Sequence, residues 1–120
     1  MAKICFTNRD ELVMLNLNQV ACIQAESNYT HVICMSGEKL MIATGITRVE
    51  QMVAQAYSST GEHCPYVRLG RSCMINQQYL QRIDTLKQVI TLGDFNGHHL
   101  SIKVPKKMVR LYKDRVQSQF

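Results

Sequence analysis

Short apolar runs separated by turn-forming residues fill the first third of the chain. Val20-Ala21-Cys22-Ile23-Gln24-Ala25 and His31-Val32-Ile33-Cys34-Met35 are rich in β-branched and apolar side chains. Glu26-Ser27-Asn28 lies between them, a combination that predicts a β-hairpin. Ser36-Gly37-Glu38-Lys39 is a second turn signal, after which Leu40-Met41-Ile42 can return beside the preceding strand. Upstream, Ile4-Cys5-Phe6 and Leu12-Val13-Met14-Leu15 flank Asn8-Arg9-Asp10 and predict another hairpin.

The period of the pattern then changes. Ile46, Val49, Met52, Val53 and Ala56 keep the i, i+3, i+4 spacing of one helix face, and Thr47-Arg48-Val49-Glu50 has the spacing of a capping box, so a helix of about three turns is expected. Ser58 to Glu62 reads as the loop that ends it, and Tyr66-Val67-Arg68-Leu69 as the start of a strand. The tract from Leu80 to Leu92, broken near Thr85 to Lys87, reads as a further hairpin. Gly93 to Gly97 is a turn ahead of His99-Leu100-Ser101-Ile102. Pro105 suits the first turn of a last helix, which carries Met108, Val109, Tyr112 and Val116 on one face and Lys106, Arg110 and Lys113 on another. The pattern predicts a mainly β fold with two helices and about seven to ten short strands in antiparallel sheets.

A length of 120 residues predicts one hydrophobic core, so residues 1–120 are read as a single domain. The apolar runs are far too short to span a bilayer, and MAKICFTNRD lacks the apolar centre of a signal peptide; no membrane association and a cytoplasmic location are expected. Five cysteines, an odd number set mostly within apolar runs, suit reduced core thiols better than a disulfide framework.

Charge changes the picture most. Residues 1–62 carry four basic and six acidic side chains, whereas residues 63–120 carry ten basic and three acidic, so the second half holds a net +7. A basic half on a small domain points to a polyanionic partner, because each Lys or Arg set against a phosphate releases condensed counterions. Charge alone leaves DNA, RNA and an acidic protein open.

Catalytic and metal chemistry find little support. His63-Cys64 and His98-His99 are adjacent pairs without metal-ligand spacing, and neighbours on a strand point to opposite faces, so no metal or other cofactor is expected. No Gly-rich phosphate loop or paired acidic motif is present, and no His or Asn is tied locally to a cysteine; no enzyme activity and no small-molecule substrate are expected. Two other features fit polyanion binding. Arg68 and Arg71 leave a strand and enter a loop, where guanidinium forks can reach guanine edges or phosphates. Lys103-Val104-Pro105-Lys106-Lys107 puts ammonium groups at the first turn of a helix, where they oppose the helix dipole and serve something other than helix stability.

Three stretches, VACIQAESNYTHV, YVRLGRSCMINQQYLQRI and GHHLSIKVPKK, resemble in order and separation the strand-and-turn blocks of the LytTR family of DNA-binding domains, and together they cover nearly the whole chain. The resemblance implies an elongated assembly of short antiparallel sheets that reads the major groove of double-stranded DNA through loops, as a sequence-specific transcriptional regulator binding as two copies on a direct repeat. Carried over by position, it implies base contacts from Thr30, His31, Arg71 and Lys106. It implies backbone contacts at Arg68, Gly70 and Lys107, and the basic residues nearby, Lys103, Arg110 and Lys113, together with Asn28, are expected to add further backbone contacts. Ser72 and Asn76 match positions that hold the loop, and Tyr29 and Tyr66 match core or sheet-face aromatics. Gln24, Gly70 and Pro105-Lys106 depart from the acidic residue, the side chain such as His, and the Ser-Arg pair common in the family. The alternative is a non-catalytic module binding RNA or an acidic protein through the same basic face.

Overall fold

The computed structural model describes residues 1–120. In chain order its elements are β1 (Lys3–Thr7), β2 (Leu12–Asn16), β3 (Val20–Glu26), β4 (Tyr29–Cys34), β5 (Lys39–Ile42), α1 (Ile46–Thr60), β6 (Tyr66–Arg68), β7 (Cys73–Asn76), a 3-10 turn (Gln77–Tyr79), β8 (Leu80–Asp84), β9 (Val89–Gly93), β10 (His99–Lys103) and α2 (Lys106–Gln117). The strands form three antiparallel sheets: the hairpin β1-β2, a five-stranded sheet in the order β5-β4-β3-β7-β6, and a three-stranded sheet β10-β9-β8. The molecule is elongated, 44 × 32 × 27 Å, as the strand-rich pattern and the resemblance imply.

The five-stranded sheet is buried on both faces, and this splits the expected single core in two. Val20 and Ile23 of β3, Val32 of β4 and Met74 of β7 pack with Ile4, Leu15 and the α1 residues Val49, Val53 and Tyr57. On the opposite face, Cys22, Ile33 and Ile75 pack with Ile90 and Leu92 of β9, Ile102 of β10, and Val109 and Tyr112 of α2. A strand covered on both sides reads as a continuous apolar run, which is why Val20–Ile23 shows no alternation. A register irregularity between Val20 and Cys22 in the β3-β4 pairing lets neighbouring side chains there serve both cores.

Each helix docks by its apolar stripe. Val109 and Tyr112 are essentially inaccessible, and the Tyr112 hydroxyl bonds Gln77 Oε1 at 3.0 Å. Full burial of side chains of this size stabilises by roughly 1.5–3 kcal/mol each, which fixes α2 against the three-stranded sheet. Burial pushes the Tyr112 hydroxyl pKa up to about 12. Helix α1 differs from expectation at both ends. It starts at Ile46 after an extended Gly45 with no side-chain cap, so Thr47-Arg48-Val49-Glu50 is not a capping box, and it continues through Ser58, Ser59 and Thr60. Its stop comes instead from Gly61 at φ 74°, whose N–H donates to the Tyr57 carbonyl at 3.0 Å; Gly adopts this left-handed cap without a Cβ penalty. At the other helix Pro105 is the cap residue itself, one position before the first helical residue.

Candidate nucleic-acid interface

Three segments far apart in sequence meet around one open groove of about 670 Å³. The β3-β4 hairpin contributes Gln24, Ala25, Glu26 and His31; the β6-β7 loop contributes Leu69 to Cys73; the end of β10 and the start of α2 contribute Lys103, Val104, Pro105 and Met108. These are the three blocks that carry the sequence resemblance. The antiparallel pairing of β3 with both β4 and β7 brings the first two together, and the Ala25 N–H extends the ladder to the Ser72 carbonyl at 2.8 Å. Gly70 sits under the first turn of α2: a Cβ at that position would lie 3.5 Å from Met108 Cγ, and its φ of +78° is a conformation that suits glycine. The contact itself would admit a Cβ, so it is the backbone turn at Gly70 that calls for glycine.

Arg68 builds the loop. Its Nε donates to the Gly70 carbonyl, one terminal nitrogen to the Arg71 carbonyl and the other to Glu50 Oε1 on α1, each at 2.8 Å. The planar fork thus joins two loop carbonyls to a carboxylate on the helix across the sheet. Together with the Leu69 N–H to Cys73 carbonyl bond at 2.8 Å, it holds a closed five-residue loop from which the exposed Arg71 projects. Each of the three guanidinium nitrogens of Arg68, the residue expected to meet a DNA phosphate, thus makes a bond within the protein, which leaves two of its five N–H donors over.

The expectation for Thr30 is corrected. It is fully buried, and its hydroxyl donates to the Thr44 carbonyl, so it presents nothing to a docking duplex. Alternation along β4 carried the signal, since Thr30 shares a face with Val32, which packs toward α1. His31, on the other face, lines the groove, and its Nε2 lies 2.6 Å from Glu26 Oε2. Glu26, to which the residue pattern gave no role, therefore places a carboxylate at the groove and occupies one nitrogen of the imidazole. Asn28 is exposed at the hairpin tip, Tyr29 beside it is half exposed on the sheet, and the Tyr66 hydroxyl donates to the Leu17 carbonyl at 2.6 Å.

Asn76 does not hold the β6-β7 loop. Buried completely, its amide donates to the Leu17 and Val20 carbonyls at 3.3 and 2.9 Å, and its Oδ1 accepts from the Gln78 N–H, so it ties the β2-β3 connection to the 3-10 turn. Ser72 acts through its main chain, as the acceptor of the Ala25 bond. Cys73 lines the groove as a protonated thiol whose pKa burial pushes up to about 11; burial, reinforced by Cys73, takes Cys22 to about 12. All five cysteines are unpaired, and no three His, Cys, Asp or Glu side chains gather as a ligand set.

The remaining candidate cations have no ion-pair partners within the protein. The ion pairs of the molecule are Met1–Glu62, Arg9–Asp10, Glu26–His31, Glu50–Arg68 and Asp94–His98. Arg71, Lys103, Lys106, Lys107, Arg110 and Lys113 are all exposed and belong to none of them. Lys106 and Lys107 begin α2 beside the groove, while Arg110 and Lys113 continue along its exposed side, opposite Val109 and Tyr112. The first turn of α2 holds no acidic residue and has no side-chain cap, so its free N–H groups and positive dipole end add to the lysines. An anion is the natural occupant of that combination.

The LytTr DNA-binding domain family matches over residues 10–117. A solved structure of a LytTr DNA-binding domain from Bacillus cereus has the same fold, with a TM-score of 0.59 at 12% identity over 95% of each chain. Among curated proteins none matches. No helix is long and apolar enough to cross a membrane.

Proposed function

Since the chain belongs to the LytTr DNA-binding domain family, we propose that it acts in the cytoplasm as a sequence-specific transcriptional regulator, whose work is binding double-stranded DNA rather than catalysis. The observation that carries this reading is the row of unpaired cations around one groove. Arg71 stands on a loop braced by Arg68, Lys103 lines the same groove, and Lys106 and Lys107 follow at the start of α2, next to the lining residue Pro105. Bracing matters because a loop whose backbone is already ordered has less conformational entropy to lose on binding. Arg71 offers a fork that fits the two major-groove acceptors of a guanine, and Lys106 and His31 are the other base-reading candidates. Lys103, Lys107, Arg110 and Lys113 set the register through phosphates, as does Asn28 at the hairpin tip. The main chain at Gly70, whose carbonyl Arg68 already holds, shapes the surface and leaves room for the backbone to approach. Two copies on a direct repeat would double the contacted length.

Competition tests this reading. A labelled duplex selected from a random pool should be displaced by unlabelled duplex of the same sequence at far lower concentration than by scrambled duplex or single-stranded RNA. Specific protein–DNA complexes generally exceed their own non-specific binding by roughly a thousandfold or more. RNA that competes as well as the selected duplex would instead favour an RNA-binding module, and no sequence preference at all would remove the regulator.

A further inference from the structure

The β8-β9 turn lies at the same end of the three-stranded sheet as the lysines that flank the groove, although no block of the sequence resemblance gives it a role. Val89 pairs with Lys103, and beyond that pair the Val104 N–H donates to the Gln88 carbonyl at 3.0 Å, so the turn is tied to the end of β10, where Lys103 leads into α2. The turn is well ordered by its own bonds. Asp84 Oδ1 accepts the Lys87 N–H at 2.9 Å, and Gln88 takes a left-handed φ of 56° to reverse the chain. Asp84 thus spends that oxygen on the backbone, and the Lys87 side chain, exposed, joins no ion pair. Leu86, at the tip, is 89% exposed and has nothing in the protein to cover it.

Lys87 thus adds an exposed cation outside any ion pair to the end of the sheet that already carries Lys103, and such clusters favour a polyanionic partner. We infer that the β8-β9 turn is a fourth DNA-contacting element, in which Lys87 meets a backbone phosphate beyond those held by Lys103 and Lys107, with Leu86 lying against the adjacent deoxyribose. This rests on duplex DNA as the partner. In the sheet order β10-β9-β8, β10 borders the groove and the turn stands one to two strands further out. With strands about 4.8 Å apart, that displacement is about 5–10 Å. Along a duplex whose rise is about 3.4 Å per base pair, it lengthens the contacted stretch by about two to three base pairs on the side away from Arg71.

The test compares the wild-type chain with Lys87→Gln and, as a control on a distant exposed cation, Arg9→Gln, using hydroxyl-radical footprinting and salt titration on one duplex. Lys87→Gln should lose protection over about two to three nucleotides at one end of the footprint only, and its slope of log K against log salt should be shallower by about 0.9. Arg9→Gln should change neither. A wild-type chain that binds duplex while Lys87→Gln keeps the full footprint and slope overturns the fourth contact and leaves the groove reading standing. A wild-type chain with no footprint on any duplex overturns both.

Discussion

Arg68→Ala is expected to cut sequence discrimination by roughly 10- to 100-fold while leaving the salt dependence of binding almost unchanged. Its guanidinium is committed to the Gly70 and Arg71 carbonyls and to Glu50, so its removal frees the β6-β7 loop rather than uncovering a phosphate. Loss of hydrogen bonds to a charged group costs about 1.5–3 kcal/mol each in buried settings, and less here because the carbonyls left behind can be hydrated. A net loss of about 1–2 kcal/mol in stability is expected, together with a roughly 10- to 100-fold fall in affinity for the preferred duplex as the loop must be ordered on binding. Thermal denaturation and duplex titration at several salt concentrations check both. A slope shallower by about 0.9 would mean that Arg68 does meet a phosphate. Arg68→Lys should recover little, because a single ammonium cannot bridge three acceptors in one plane.

Arg71→Ala is expected to leave stability unchanged and to act in a similar way on specificity. The side chain is exposed and makes no hydrogen bond or ion pair within the protein, so the fold should be untouched within about 0.5 kcal/mol. On the preferred duplex the loss should be about 1–3 kcal/mol, with non-specific affinity nearly constant, so that the ratio between the two shrinks by the same factor. Arg110→Ala, one turn into α2, is the useful contrast: it should weaken both equally and make the salt slope shallower by about one unit. A folded Arg71 variant that keeps its full specificity ratio would remove that loop as a base reader.

What could be read from the residues, and what could not, follows from the range of the forces involved. The β3-β4 hairpin was legible because the apolar runs and the Glu26-Ser27-Asn28 turn are local, and α2 because Val109, Tyr112 and Val116 repeat at helical spacing. β7 was not, since Cys73-Met74-Ile75-Asn76 is a short run buried on both faces, and only its pairing with β3 makes it a strand. The role of Arg68 depends on Glu50, eighteen residues earlier on a different element, and no local pattern announces that contact. Thr30 was misplaced for another reason: the resemblance supplied its role, while the alternation that puts it beside Val32 pointed inward. Lys103 and Lys106 were found because basic residues at a helix start oppose the dipole. Lys87 was passed over because its turn is tied to the end of β10 only through the β9-β10 pairing, which no local pattern announces.

The central claim is that unpaired cations around the groove bind the phosphates of duplex DNA, and the salt dependence of wild-type binding tests it most directly. For about five phosphate contacts, log K should fall linearly against log salt with a slope near −4.5. Binding that is undetectable at low salt, or that persists with a slope near zero as salt is raised, would contradict it.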